Sequence, residues 1–241
     1  MTAGWQYAVV RAIRAETATA KTFRLQLTDP VRHVAGQHYV LRLTAPDGYQ
    51  ASRSYSVASA PDDGGAIDLT VERLPDGEVS TFLHEVVEVG DELEVRGPIG
   101  GWFVWPGDRP ALLVGGGSGV VPLMSMLRTA RADERTTTAH LVASVRSPDH
   151  VYFRDELPGP DVTLLYTRQA PPGHRRPPGR LSGDDLEGLL RVDQTVYVCG
   201  SAPFAGAASR LIAQMGHPSG QIRVERFGPT DGTTASGTSS A

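Results

Sequence analysis

The sequence predicts two domains of different fold class, an N-terminal antiparallel β-barrel and a C-terminal α/β domain with a five-stranded parallel sheet. Up to about Trp105, short runs rich in Val, Tyr, Thr and Leu recur between turn residues, as in small barrels. After Trp105, apolar strands alternate with helices, which is typical of a parallel sheet covered on both faces. The predicted domains are 1–105 and 106–230. The Gly/Ser/Thr-rich residues 231–241 are predicted to be a disordered tail.

The predicted barrel strands are short and are bounded by turn residues. They are 7–13, 21–27, 38–43, 53–58, 67–74 and 92–96. In the second strand Phe23, Leu25 and Leu27 alternate with polar residues, which is the period of a strand that buries one face. Residues 79–87 instead repeat their apolar side chains at helical spacing, so a short helix is predicted before the last strand.

The predicted strands of the C-terminal domain are apolar runs separated by helical segments. The strands are 111–114, 140–144, 162–166, 195–198 and 221–225. The helices are 122–131, a short one near 153–157, 184–190 and 203–215. The Pro- and Arg-rich residues 171–180 are predicted to be a loop, in which Arg175 and Arg176 are expected to be solvated charges.

Composition restricts the classes of function. The 241 residues carry a formal net charge of −4, which gives no signal for nucleic-acid binding. The single cysteine, Cys199, excludes an intrachain disulfide, a Cys-rich zinc site and a four-thiolate iron–sulfur cluster, and no metal site is expected. No window approaches the roughly 20 apolar residues of a membrane-spanning helix. No signal peptide is visible, so a cytoplasmic protein is expected.

A glycine-rich segment follows the first predicted parallel strand. Gly115, Gly117, Gly119 and Pro122 form the pattern G-x-G-x-G-x-x-P between a buried strand and a helix. Glycine lets backbone N–H groups approach a pyrophosphate closely, and a helix N-terminus favours negative charge. Pro122 suits the first helical turn, where no backbone donor is needed. The segment predicts a site for dinucleotide phosphates, and a tight structural turn is the alternative.

Several further motifs occur in a fixed order. Residues 53–56 read R-S-Y-S, 77–81 read G-E-V-S-T, 97–100 read G-P-I-G, 199–200 read C-G and 225–227 read E-R-F. Together with the glycine-rich segment, they make the chain similar to the ferredoxin–NADP reductase superfamily of two-domain flavoproteins. The resemblance covers nearly the whole chain up to the tail. It implies an FAD-binding barrel followed by an NAD(P)-binding α/β domain.

The resemblance assigns the barrel motifs to FAD. Arg53 offers a rigid fork of donors that suits a diphosphate. Tyr55 would pack its ring against the isoalloxazine, and Ser56 would place its hydroxyl near flavin N5. The segment that contains Ser80 would present backbone donors to phosphate, which favours FAD over FMN, or would form an ordinary N-cap. The residues assigned to FAD in the barrel are Arg53, Ser54, Tyr55, Ser56, Val71, Gly77, Val79, Ser80 and Thr81.

The resemblance assigns a second set of residues to the meeting point of flavin and nicotinamide. Ser56, Cys199 and Glu225 are the candidate catalytic residues, although Cys199 could be only a small buried hydrophobic residue. Phe227 would cover the flavin face on which the nicotinamide must stack, or would be the last core aromatic. The residues assigned to the nucleotide are Gly115, Gly117, Gly119, Val120, Pro122, Arg146, Arg168, Arg180, Cys199 and Gly200.

The three arginines in this set bear on the choice between NADPH and NADH. Arg146 and Arg168 follow the second and third predicted parallel strands, and Arg180 ends the 171–180 loop. Guanidinium groups suit the 2′-phosphate of NADPH. Similar segments occur in NADH-using members of the superfamily, so NADPH is expected and NADH is the alternative.

The resemblance implies a flavin-dependent NAD(P)H oxidoreductase that passes electrons to a separate partner. Because the chain has one cysteine and no recognisable iron–sulfur domain, FAD is expected to be its only fixed redox centre. The acceptor could be a ferredoxin, an oxygenase, or a haem or molybdenum protein. The alternatives are a stand-alone flavin or quinone reductase and a non-catalytic nucleotide-binding module.

Overall fold

The structure is a computed structural model that describes residues 4–62, 64–132, 139–157 and 159–228. The predicted tail, 231–241, lies outside the described residues. A six-stranded antiparallel sheet precedes a five-stranded parallel sheet, so the predicted fold class is confirmed. The exact domain limits stay a prediction.

The N-terminal sheet is an antiparallel barrel. Its strands are β1 (Trp5–Thr17), β2 (Ala20–Leu27), β3 (His38–Thr44), β4 (Gln50–Ser56), β5 (Ala66–Glu72) and β6 (Glu92–Ile99). They lie in the order β4-β3-β6-β1-β2-β5, and all five pairings are antiparallel. The two outer strands meet through a bridge between Val57 and Leu69. The N–H of Ala58 also donates to the carbonyl of Asp68 at 2.8 Å, which closes the barrel.

The barrel core follows the predicted alternation. Phe23, Leu25 and Leu27 of β2 are all buried. Helix α1 (Glu78–Glu85) precedes β6 and packs Val79 and Leu83 into the same core. The helical spacing of Val79, Phe82, Leu83 and Val86 in the sequence predicts one shared apolar face, but Phe82 and Val86 are 38% and 55% exposed. The helix therefore buries a narrower stripe than its sequence predicts.

The C-terminal sheet is parallel and is covered on both faces. Its strands are β7 (Ala111–Gly116), β8 (Ala139–Val145), β9 (Val162–Tyr166), β10 (Thr195–Ser201) and β11 (Ile222–Phe227), in the order β11-β10-β7-β8-β9. Helix α2 (Val120–Ala132) packs on the face that carries Leu113, and α3 (Ala202–Gln214) packs on the face that carries Leu112. Strands buried on both faces explain the continuous apolar runs in the sequence.

Two of the predicted short helices are wrong. Residues 153–157 form an irregular turn in which Phe153 has φ +53°, and residues 184–190 form turns in which Gly188 has φ +75°. A residue with left-handed backbone cannot continue a right-handed helix. Apolar spacing over so short a segment does not outweigh the high free energy of helix nucleation.

The two domains are packed against each other through helix α2 and the segment that follows the barrel. Trp105 is 1% exposed and lies in the same apolar cluster as α2. The hydroxyl of Tyr197 in β10 donates to the carbonyl of Val104 at 2.8 Å, and Ser125 of α2 donates to the carbonyl of Ser59 at 2.6 Å. The barrel and the α/β domain therefore share buried contacts as well as a connecting segment.

Candidate cofactor and redox site

The R-S-Y-S motif lies on the outer strand β4. Arg53 is exposed, and within the described residues its guanidinium donates only to the carbonyl of Ser52, at 2.7 Å. Tyr55 lies half-buried against the barrel core, and burial raises its pKa to about 12, so its hydroxyl remains protonated at neutral pH. Ser56 is buried and pairs with His38 of β3. Free donors beside a half-buried ring suit a ligand that combines phosphate with an aromatic ring system.

In the turn before α1, the hydroxyl of one predicted cofactor-binding residue, Ser80, is hydrogen-bonded within the turn itself. The Ser80 hydroxyl donates to the carbonyl of Gly77 at 3.0 Å and accepts from the N–H of Leu74 at 3.2 Å. No side chain caps the N-terminus of α1, so the first N–H groups of the helix have no side-chain acceptor. Ser80 therefore closes the turn, and the backbone and the half-buried Thr81 remain for a phosphate.

Several apolar residues predicted to bind cofactor are core residues. Val71, Val79 and Val120 are each 1% exposed, and their side chains pack in the two domain cores. Pro122 is also buried, in the first turn of α2. These residues can face a ligand only through their backbone, because their side chains point into the protein interior.

The glycine loop lies against the end of β10. Gly117 has φ +56°, which glycine adopts readily, and no heavy atom lies within 4 Å of the position where a Cβ would stand. A Cβ on Gly119 would lie 2.2 Å from the carbonyl oxygen of Cys199, so only glycine permits this approach. Gly115 pairs with Cys199 in the sheet. The loop is therefore tightly packed at Gly119 and open at Gly117.

Cys199 and Glu225 are direct neighbours in adjacent strands. Cys199 is fully buried, and burial, with the nearby Glu225 carboxylate, raises the pKa of its thiol well above the usual range. Burial also raises the pKa of Glu225 to about 7. The Oε2 atom of Glu225 is buried and has no hydrogen-bond partner among the described residues. A carboxyl with these properties can hold or release a proton near neutral pH.

Two further predicted residues lie at the same end of the sheet. Phe227 ends β11, pairs with Ser201 and packs in part against the α2-side core. A Cβ on Gly200 would lie 2.8 Å from the ring of Phe204 and 2.9 Å from the carbonyl oxygen of Gly116. Gly200 therefore permits close packing at this edge, and Phe227 is both a core residue and half-exposed.

The three predicted arginines converge at the carboxyl ends of β8 and β9. The N–H of Arg168 donates to the carbonyl of Arg146 at 3.0 Å, and the N–H of Gly179 donates to the carbonyl of Tyr166 at 2.9 Å, which returns Arg180 to the sheet. All three arginines are exposed. Within the described parts of the chain, no hydrogen bond or ion pair engages their guanidinium groups. Three free cations at one edge suit a phosphate ligand.

The expectation that Arg176 is a solvated loop charge is wrong. Its guanidinium forms a two-pronged ion pair with Asp185 and donates to the carbonyl of Arg180 at 2.7 Å. Asp185 also accepts from the N–H of Ser182 at 2.8 Å. The loop that carries Arg180 is therefore held in place by its own ion pair.

Sequence reasoning also missed the polar contacts between the domains. Ser125 and Arg128 of α2 both donate to barrel carbonyls, those of Ser59 and Ala58. The one signal in the sequence is a Ser and an Arg three residues apart in the mainly apolar segment 120–128 of the helix. Their acceptors are backbone atoms, which the sequence alone does not identify.

The described residues offer neither a metal site nor a membrane-spanning helix. Among the described residues, no group of three or more His, Cys, Asp and Glu side chains is arranged to hold a metal ion. In that same part of the chain, every helix is too short or too polar to cross a bilayer. The groups that await a ligand therefore lie at the barrel edge and at the sheet edge.

Both halves of the chain match known protein families. Residues 8–104 match the oxidoreductase FAD-binding domain, and residues 113–210 match the oxidoreductase NAD-binding domain. The chain belongs to the ferredoxin–NADP reductase superfamily. Its two domains are an oxidoreductase FAD-binding domain and an oxidoreductase NAD-binding domain, which support FAD and a pyridine nucleotide as cofactors.

Individual relatives differ in the systems that they serve. The glycine betaine monooxygenase reductase subunit of Chromohalobacter salexigens is 32% identical over 230 residues, which cover 89% of this chain and 62% of that protein. A flavohemoprotein of Pseudomonas putida is 33% identical over 203 residues, which cover 80% and 51%. The FAD/NAD-binding domain of nitric oxide dioxygenase from Vibrio cholerae has a TM-score of 0.81 at 24% identity and covers 93% of this chain and 99% of that one. The chain spans about three fifths of the length of the first curated relatives.

Proposed function

We propose that this protein transfers electrons from NADPH, through FAD on the barrel, to a separate acceptor protein. The observation that carries the proposal is that both predicted cofactor edges present polar groups without protein partners. Among the described residues, most donors of Arg53 have no partner at the barrel edge, and Oε2 of Glu225 has none at the sheet edge. Folded proteins pair nearly all of their buried polar groups, so a buried orphan such as Glu225 indicates a ligand.

The residues at these edges have separate roles in binding the two cofactors. When bound, FAD supplies the hydride and electron chemistry, and the protein supplies orientation and shielding from water. Arg53 holds the diphosphate of the flavin cofactor, Tyr55 supports its ring, and the Ser56 hydroxyl lies at the reacting edge. The loop around Gly117 offers backbone donors to the pyrophosphate of the nucleotide. Glu225 keeps a proton available beside Cys199.

The preference for NADPH over NADH is part of the proposal. Arg146, Arg168 and Arg180 lie at one edge, and their guanidinium groups are free to pair with a 2′-phosphate. Phe227, at the end of β11 on the opposite side of the sheet, would share its position with the nicotinamide ring. NADH use would leave the arginine cluster without its anion.

The acceptor is proposed to be a protein of an oxygenase system. The relative from Chromohalobacter salexigens is named as a reductase subunit of a monooxygenase, which supports a separate oxygenase partner. A ferredoxin, or a haem or molybdenum protein, is an alternative acceptor. A cytoplasmic location stays a prediction.

Rapid mixing of the FAD-loaded protein with NADPH or NADH under anaerobic conditions tests the proposal. The flavin absorbance band is expected to bleach with both nucleotides, and at lower nucleotide concentration with NADPH. Turnover is expected to increase when an oxygenase-type redox protein is added. A protein that takes up no FAD would contradict the proposal. Saturable reduction of free flavin without enhancement by any redox protein would support a stand-alone flavin reductase.

A further inference from the structure

Helix α2 joins the two candidate cofactor sites. The helix begins directly after the glycine loop, and its middle contacts the barrel segment that follows Ser56. The Ser125 hydroxyl donates to the carbonyl of Ser59 at 2.6 Å, and Nη1 of Arg128 donates to the carbonyl of Ala58 at 2.8 Å. Ser125 is fully buried. The two acceptor carbonyls are two and three residues after Ser56.

Arg128 makes further contacts that fix its side chain. Its Nε and Nη2 atoms donate to the two carboxylate oxygens of Glu156 at 2.9 and 2.6 Å. These bonds lower the pKa of Glu156 and keep it ionised. The guanidinium lies 5.0 Å from the ring centre of Phe153 and 3.8 Å from the carboxylate of Asp68 in the barrel. A side chain only 15% exposed and held on several sides has little freedom to move.

A second connection reaches the barrel from the same loop. The N–H of Phe153 donates to Oε2 of Glu16 at 2.9 Å. The Glu16 side chain is 4% exposed, and its other oxygen accepts from the hydroxyl of Thr22 at 2.7 Å. Glu156, which binds Arg128, lies in the loop that contains Phe153. Helix α2 and this loop therefore contact the barrel as one connected network.

We propose that Ser125 and Arg128 are positioning residues that set the distance between the nicotinamide and flavin sites. This inference rests on the proposed function, because the two sites must hold reacting partners for the distance to matter. Val120 and Ser125 are separated by about 7.5 Å of rigid helix, at about 1.5 Å per residue. Reacting atoms must come within about 3–3.5 Å, and a misplacement of about 1 Å can lower a rate about 10²-fold. A rigid connection between the glycine loop and the Ser56 strand meets that requirement.

The first test compares Arg128→Met with Arg131→Met. Arg131 lies one turn later on α2, pairs with Asp161 at 2.8 and 2.9 Å and donates to the carbonyl of Glu156 at 2.7 Å, and among the described residues its bonds stay within the α/β domain. The limiting rate of flavin reduction at saturating NADPH is expected to fall about 30- to 100-fold in Arg128→Met and less than about twofold in Arg131→Met. The FAD content and the Kd for NADP⁺ are expected to stay within about twofold of wild type in both.

Two further variants are expected to lower the limiting rate of flavin reduction by smaller factors. Ser125→Ala removes one hydrogen bond and no ion pair, so a decrease of about 3- to 10-fold in the limiting rate is expected. Arg128→Lys keeps the charge but cannot donate to Ala58 and both oxygens of Glu156 at once, so an intermediate rate is expected. Ser125→Ala alone carries the test if Arg128→Met does not fold. Wild-type rates in Ser125→Ala and Arg128→Lys would overturn the proposal.

The second test needs no cofactor. Spin labels at Arg11→Cys on β1 and Arg210→Cys on α3, both exposed positions, report the distance between the domains, because the buried Cys199 does not react with the label. In the apoprotein, the distance distribution is expected to broaden with Arg128→Met and to match wild type with Arg131→Met. An unchanged distribution in Arg128→Met overturns the positioning role. A broadened distribution in a protein that never reduces flavin would leave the positioning role intact and contradict the proposed function.

Discussion

The two candidate sites of this protein offer different kinds of groups to their ligands. At the barrel edge, Arg53 and Tyr55 contribute side chains that project from β4, and the Arg53 guanidinium is largely free of protein contacts. At the sheet edge, Gly119 contributes by having no side chain, Cys199 is buried, and Glu225 is half-buried with its Oε2 atom fully buried. The first site would bind its ligand through projecting side chains. The second would bind through backbone that a glycine leaves uncovered. Substitutions should therefore affect ligand binding alone at the first site, and folding as well at the second.

The largest effect is expected from Gly119→Ala, because its Cβ would lie 2.2 Å from the carbonyl oxygen of Cys199. Backbone atoms must shift to accept it, and we expect a loss of about 3 kcal/mol in the free energy of unfolding. Gly117→Ala is the matched control, since its Cβ meets no atom and only the left-handed backbone is strained, by about 1 kcal/mol. Urea unfolding of the apoproteins measures both. Equal losses would show that close packing does not distinguish Gly119.

The next effect is expected from Arg53→Ala, which tests the barrel edge. A charge-assisted bond to the cofactor would be lost, so the Kd for FAD is expected to rise about 30-fold. The urea unfolding of the apoprotein is expected to stay unchanged, because among the described residues the guanidinium donates a hydrogen bond only to the carbonyl of Ser52. Arg11→Ala, an exposed arginine on β1, is the control and should retain FAD normally. A purified Arg53→Ala protein with full flavin content would remove Arg53 from the site.

The fold was largely predictable from the sequence, because its long elements carry strong patterns. The strict alternation of Phe23, Leu25 and Leu27 and the apolar runs of the parallel strands each have one reasonable interpretation. The segments 153–157 and 184–190 were mistaken for helices because a few apolar residues fit several local structures. In these two segments, the left-handed backbone at Phe153 and Gly188 decides the conformation.

The candidate sites were predictable only in part. The sequence put Arg53 in a barrel strand, Gly117 in the turn after the first parallel strand and Cys199 near the end of the fourth, and they lie there because local chain order determines those places. Their roles toward the cofactors stay predictions. The expectation for Arg176 was wrong and the contacts of Arg128 were not predicted, because both depend on partners that tertiary packing brings together. The bond from Arg128 to Ala58 joins residues 70 positions apart. No local pattern in one sequence indicates such a pair.

A smaller effect is expected from removing Arg168 and Arg180 together by substitution with alanine. Within the described residues, these two guanidinium groups have no hydrogen bond or ion pair. They are exposed, as Arg53 is at the barrel edge, although they lie on the α/β domain. The KM for NADPH is expected to rise about 10-fold, and the KM for NADH to stay the same. Arg175→Ala, in the same loop, is the control. An equal rise for both nucleotides would contradict a role in binding the 2′-phosphate.

The smallest effect is expected from Glu225→Gln, and it depends on pH. Burial raises the pKa of Glu225 in the folded protein to about 7, above its ordinary value of 4.5. Between these values the folded state binds more protons than the unfolded state, so the contribution of Glu225 to stability falls as pH rises. Full ionisation in a dry site would cost about 3 kcal/mol, and partial exposure reduces this to about 1 kcal/mol.

Glu225→Gln is therefore expected to be more stable than wild type by about 1 kcal/mol near pH 8 and nearly equal to it near pH 5. Urea unfolding of the apoproteins at the two pH values measures the difference, with Glu187→Gln, an exposed position, as the control. If Glu225→Gln follows the wild-type pH dependence, the carboxyl is solvated and the sheet edge holds no orphaned group. The two sites would then differ only in the packing of their glycines, because both would bind through exposed side chains.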